Sequence, residues 1–143
     1  MIEIIHITND NQVHTGGAQV LIKFFGQYST NGNIKYSLYS LGEKGHTSGI
    51  NLLSPKSITS LYFYLRKNNR NNVIIHAHLF PAAHLVSLTS MFIRNRKFKM
   101  IYTEHSTTAK RATFFVFRFI EKFLLNRFHI VFAVSTAARH MLC

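Results

Sequence analysis

A chain of 143 residues is the size of one domain and long enough to bury roughly two-thirds of its unfolded surface in a core. Its 47% hydrophobic content excludes a disordered chain, and its one cysteine, Cys143, excludes an internal disulfide. Seventeen Lys and Arg against five Asp and Glu give a formal +12, a field that either attracts anions (nucleic acid, acidic lipid headgroups, phosphorylated small molecules) or only aids solubility.

The chain opens on MIEIIHITND, with no basic leader before the apolar run, so no secretory signal is read here. Ile2–Ile7 is a strand candidate. Asn9–Gly17 is turn-prone and ends in Gly16-Gly17. From Ala18, the apolar positions Ala18, Leu21, Ile22 and Phe25 fall at helical spacing, and Asn31-Gly32 stops that helix. Ile34–Leu41 alternates as a second strand. Gly42–Gly49 is a polar loop and Ile50–Leu53 a short third strand.

Ser54-Pro55 supplies a cap and a first-turn proline. The helix after it sets Ile58, Leu61, Tyr62 and Leu65 on one face. Val73–Ala77 is a buried strand, and Pro81 opens a helix through Arg94. Lys99–Thr103 is strand-like, and Ala109–Arg127 is the longest helix candidate. Ile130–Val134 is the last strand, and Ser135 caps a final helix. The apolar stretch Ala112–Phe128 carries Arg118, Glu121, Lys122 and Arg127, too many ionisable groups for a spanning helix. A cytoplasmic protein is expected.

Strands alternating with helices imply right-handed crossovers and a mostly parallel sheet covered on both faces. The apolar strands IEIIHI, VIIHA and IVFAV suit such burial. The fold class is therefore α/β, an open doubly wound, Rossmann-like sheet, with an expected strand order of 3-2-1-4-5-6.

In such sheets ligands bind outside the carboxyl ends of the strands. His14, Thr15, Gly16 and Gly17 follow the first strand, and His78-Leu79-Phe80-Pro81 follows the strand Val73–Ala77. Glu104, His105 and Ser106 follow Lys99–Thr103, and Ser135 follows the last strand. Gly16-Gly17 before a helix suits close approach of a phosphate, or is simply a tight turn. His76 and His78, two apart on a strand, face one way. No third metal ligand is evident beside them, so His76 is read as a core histidine and His78 as the ligand candidate. Glu104, His105 and Ser106 suit acid–base chemistry, while Ser106 and Ser135 equally suit helix caps.

Taken in order, IIHIT, TGGAQ with its apolar helix, SLYSLG, VIIHAHLFPA, IYTEHST and FAVSTAARHML resemble the family-4 retaining glycosyltransferases of the GT-B fold, over their N-terminal, acceptor-side domain. The resemblance implies a hexosyltransferase-like enzyme with a nucleotide-sugar co-substrate, no other cofactor and no metal. It implies that Gly16 and Gly17 approach the donor diphosphate and that His78 contacts the donor sugar near the reaction centre. Thr15, Glu104, His105 and Ser106 then face the acceptor, and Ser135 begins the helix entering the interdomain region. The expected acceptor is a cell-surface glycan or a lipid-linked one, with peripheral contact to an anionic membrane and no nucleic acid.

Family members carry a second Rossmann-like domain that binds most of the nucleotide. Residues 1–143 correspond to the first domain alone, so turnover is expected to need that absent C-terminal domain. The competing reading is a noncatalytic basic Rossmann-like module holding nucleic acid or a phosphorylated ligand. It is disfavoured by the lack of any helix-turn-helix, zinc-finger or RNP signature.

Overall fold

A computed structural model of the chain describes residues 1–9, 32–41, 55–105, 115–136 and 138–139. Within them lie strands β1 (Ile2–Thr8), β2 (Ile34–Ser40), β3 (Val73–His78), β4 (Lys99–Glu104) and β5 (Ile130–Ala133). The helices are α1 (Pro55–Lys67), α2 (Ala82–Met91) and α3 (Phe115–Leu125). The five strands form one sheet, all parallel, in the order β2-β1-β3-β4-β5. With the expected third strand Ile50–Leu53 set aside, because it lies outside the described residues, this is the order the sequence implied. The helix expected from Ala18 and the loop Gly42–Gly49 lie outside them too.

Strand alternation divides the sheet into two faces. On one, Ile5, Ile7, Val73, Ile75, Ala77, Met100 and Tyr102 are buried and join Leu61 and Leu65 of α1 and Leu85 and Val86 of α2 in a single core. The expected face of α1 is therefore the observed one: Leu61 and Leu65 are fully buried, with Ile58 and Tyr62 half-buried against them.

Helix α2 is buried on nearly all sides, because it packs on β1 and β3 and against both α1 and α3. Its hydroxyls are satisfied within the protein: Ser87 Oγ donates to the Leu124 carbonyl at 2.6 Å, Thr89 Oγ1 to Leu85 O at 2.6 Å, and Ser90 Oγ to Ser87 O at 2.7 Å. The first of these ties α2 to α3. Bonding to a carbonyl is how a polar group tolerates full burial. Helix α2 stops at Met91 rather than the expected Arg94. Phe92 and Ile93 donate to Thr89 and Ser90, tightening the last turn, and Asn95 takes a left-handed φ of 53° that no helix continues.

The amino-terminal edge of the sheet is fastened electrostatically. Glu3 Oε2 accepts from Arg70 at 2.7 Å, and its Oε1 meets Lys35 Nζ at 3.2 Å and Ser37 Oγ at 3.0 Å. Burial pushes the Glu3 carboxyl up, but hydrogen bonds from Lys35 and Ser37 and the charges of Lys35 and Arg70 outweigh it and hold its pKa below the usual value. The last strand departs from expectation. Ile130, Val131 and Phe132 remain exposed, since among the described residues β5 lies at the sheet edge and pairs with β4 alone.

Candidate functional site

The carboxyl ends of β1, β3 and β4 lie side by side, so the residues after these strands share one edge. Register sets His6 opposite His76 and His78 opposite Thr103. All four project from the face opposite the helix-packed core. His6 Nδ1 lies 2.9 Å from His78 Nε2, and His78 Nδ1 lies 3.3 Å from His105 Nε2. Beside this row, His76 Nε2 meets Thr103 Oγ1 at 2.7 Å, and the His76 and His78 rings stand 4.1 Å apart between centroids.

The row His6–His78–His105 is a directional hydrogen-bond chain. Each neutral imidazole has one N–H and one acceptor nitrogen, so a donor at one end fixes the tautomer of the next ring. Burial keeps these rings uncharged. It lowers the pKa of His6 to about 4. It lowers His76 to about 3, with further repulsion from His6 and His105. For His78 the value falls to about 2 by burial, then by His76, His6 and His105. His105, only half-buried, is lowered by burial and partly restored by the charge of Glu104. Neutral imidazoles can hold and orient polar groups at ordinary pH through one donor and one acceptor nitrogen each.

His78 itself is 2% exposed and both of its ring nitrogens are engaged, so of the row it is His105 that reaches solvent. Glu104 lies on the other face. Its carboxylate, 2% exposed, accepts the hydroxyl of buried Tyr102. Thr15, Gly16, Gly17 and Ser106 fall outside the described residues. Ser135 acts as a helix cap: its Oγ accepts the Ala138 N–H at 3.1 Å and its carbonyl the Arg139 N–H at 2.9 Å. It also lines a surface cleft of about 500 Å³ at the end of β5, with Thr136 and Arg139.

Two residues that the sequence reading passed over belong to this edge. His6 sits inside IEIIHI and signals nothing until parallel pairing places it beside His76. It stands as a third histidine beside His76 and His78. Asn9, just after β1, bridges to the other side of the edge. Its Nδ2 donates to Phe80 O at 2.6 Å and its Oδ1 accepts the Ala82 N–H at 3.0 Å. Pro81, just before α2, offers no side-chain cap of its own, so Asn9 caps α2 from 73 residues away. The turn it holds begins with Leu79 at φ 63°, a left-handed conformation that costs a branched residue roughly 1–2 kcal/mol and is found where surrounding contacts enforce it.

Parallel sheet, buried polar edge and helices following β2, β3 and β4 define an α/β domain of the kind that binds its ligand at the strand termini. The sequence profile of Glycosyltransferase Family 4 matches residues 40–143, which include β3, β4, β5 and the histidines His76, His78 and His105. The chain belongs to Glycosyltransferase Family 4, with the Rossmann-like arrangement of a GT-B amino-terminal domain. A search of curated proteins found no match.

Proposed function

We propose that this domain is the acceptor-side half of a retaining, hexosyltransferase-like enzyme that moves a sugar from a nucleotide-sugar to a cell-surface glycan or lipid-linked acceptor. The observation that carries the reading is the neutral histidine row at the carboxyl edge of β1, β3 and β4, in a member of a glycosyltransferase family. A donor sugar presents hydroxyls, which ask for fixed, uncharged hydrogen-bonding groups. His78 answers this with a tautomer held by His6 on one side, and a ligand reaches it by replacing His105 at Nδ1, the longer of its two contacts. His105 and Ser106 are then the groups on the acceptor side, and Glu104 supports them from behind through its charge on His105. Gly16 and Gly17 meet the diphosphate, and Ser135 starts the interdomain helix. A second domain, outside residues 1–143, holds most of the nucleotide, and the transfer itself needs no metal or further cofactor.

The test uses the complete polypeptide that carries this domain, incubated with a panel of uridine and guanosine diphosphate sugars. Release of nucleoside diphosphate from at least one donor, with the anomeric configuration kept in the product, is expected. Release with inversion overturns the retaining assignment, and no release from any nucleotide-sugar overturns the enzyme.

The proposed acceptor gives the surface of α3 a role. Phe119 and Phe123 are 71% and 51% exposed and Ile120 is 47% exposed, beside Lys122. Among the described residues no helix is long and apolar enough to cross a membrane, so contact would be peripheral, at the inner face of a bilayer. Exposed aromatics insert at the headgroup boundary, and each Lys or Arg near an anionic surface adds roughly 1 kcal/mol. Co-sedimentation with anionic but not neutral vesicles, weakened by salt and by Phe119→Ser with Phe123→Ser, is the expected result. Equal, negligible binding to both by folded protein rejects membrane contact.

A further inference from the structure

We infer that His6, His76 and His78 form a three-imidazole site for a divalent transition-metal ion of the zinc class. One ligand nitrogen from each ring lies within 4.8 Å of the other two, and the rings come from adjacent, parallel-paired strands whose backbone is fixed. Tetrahedral zinc, with bonds of about 2.0–2.1 Å, needs nitrogens about 3.3 Å apart. The pair His6 Nδ1 and His78 Nε2, now 2.9 Å apart across a shared proton, opens by a few tenths of an ångström to admit the ion.

For two of the three rings the outer contact matches what such a site requires. A metal-bound histidine donates its other ring N–H to a neighbour, which fixes ring and tautomer. With Nε2 of His78 on the metal, its Nδ1–H donates to His105 Nε2 at 3.3 Å. With Nδ1 of His76 on the metal, its Nε2–H donates to Thr103 Oγ1 at 2.7 Å. His6 binds through Nδ1 once its proton resides on Nε2. No net proton is lost, because each ring is neutral before and after binding. Imidazole is the ligand type suited to zinc, copper, nickel and iron, and the absence of any oxygen ligand from the set disfavours calcium and magnesium. Three protein ligands leave a fourth position for water or a ligand atom.

Binding itself does not depend on the glycosyltransferase reading. Its consequence for catalysis does: a held ion occupies His78 Nε2 and fixes Nδ1, the nitrogen proposed to meet the donor sugar, as an N–H donor.

The full chain, freed of metal with a chelator and shown to be folded by circular dichroism, is titrated with zinc against a chromogenic chelator. One equivalent is expected to bind. His6→Asn, His76→Asn and His78→Asn are each expected to weaken binding by at least about a hundredfold, and His105→Ala by about tenfold, the range for outer-shell partners. His129→Asn, on the exposed turn before β5, should leave it unchanged. Because a buried substitution can unfold the chain, the zinc-loaded wild type is also read by X-ray absorption, where a first shell of three imidazole nitrogens is expected. Three results each overturn the site: no saturable binding by folded wild-type chain, binding indifferent to substitution at all three histidines, or a first shell containing sulfur from Cys143.

Discussion

Turnover by the complete enzyme should fall at least roughly tenfold when His78 is replaced by alanine, a loss of about 1.4 kcal/mol of transition-state stabilisation. The reason is placement. His78 ends β3 at the carboxyl edge, is held through Nε2 by His6, and is kept uncharged by burial. A side chain held in this way lends a donor sugar a fixed hydrogen-bond partner whose orientation costs no further entropy. Its burial adds a second effect. The alanine variant removes one hydrogen-bond partner from His6 and one from His105, and stability should drop by about 1–3 kcal/mol. Kinetics must therefore be read at a temperature where urea titration shows the variant folded. His78→Gln, which restores one donor and one acceptor, should recover part of the stability and part of kcat. Wild-type kinetics in folded His78→Ala would remove His78 from the reaction.

A comparable or larger effect, on stability alone, is expected from Leu65→Ala. Leu65 and Leu61 are fully buried, one helical turn apart on α1, and belong to the core shared with β1, β3 and α2. Cutting a buried leucine to alanine in such a core costs about 2–5 kcal/mol, a large share of the roughly 5–15 kcal/mol that holds a domain of this kind together. Phe63, on the same helix, is 59% exposed, and Phe63→Ala should change stability by no more than about 0.5 kcal/mol. The contrast between two large side chains two residues apart reads the orientation of α1 directly. Equal losses in chemical denaturation would mean that the helix faces elsewhere.

The frame of the protein was legible because its signals are local. The spacing of Ile58, Leu61, Tyr62 and Leu65 declares a helix and its buried face, VIIHA declares a strand covered on both sides, and alternation of the two implies parallel pairing. The choice of the carboxyl edge for a candidate site follows from that pairing alone. What stayed hidden depends on register and on which way a side chain turns. His6 reads as one polar residue in an apolar strand, and only the pairing of Glu3 with Val73 brings it beside His76. Glu104 and His105 are neighbours in sequence, yet strand alternation sends the carboxylate toward Tyr102 and the imidazole toward His78. Asn9 sits in a stretch that reads as a turn, and its role as a cap for α2 needs the tertiary fold. The exposure of β5 has the same origin: IVFA is apolar enough for a central strand, but composition does not tell an edge from a centre.

The central claim is that the carboxyl edge around His78 and His105 is where the nucleotide-sugar is met. The most direct measurement follows the ring carbon–proton NMR signals of the histidines in the complete, metal-free protein during titration with a nucleotide-sugar that it cleaves. Saturable shifts of His78 and His105, with His129 unmoved, are the predicted result. Saturable binding that leaves His78 and His105 unchanged would contradict the account.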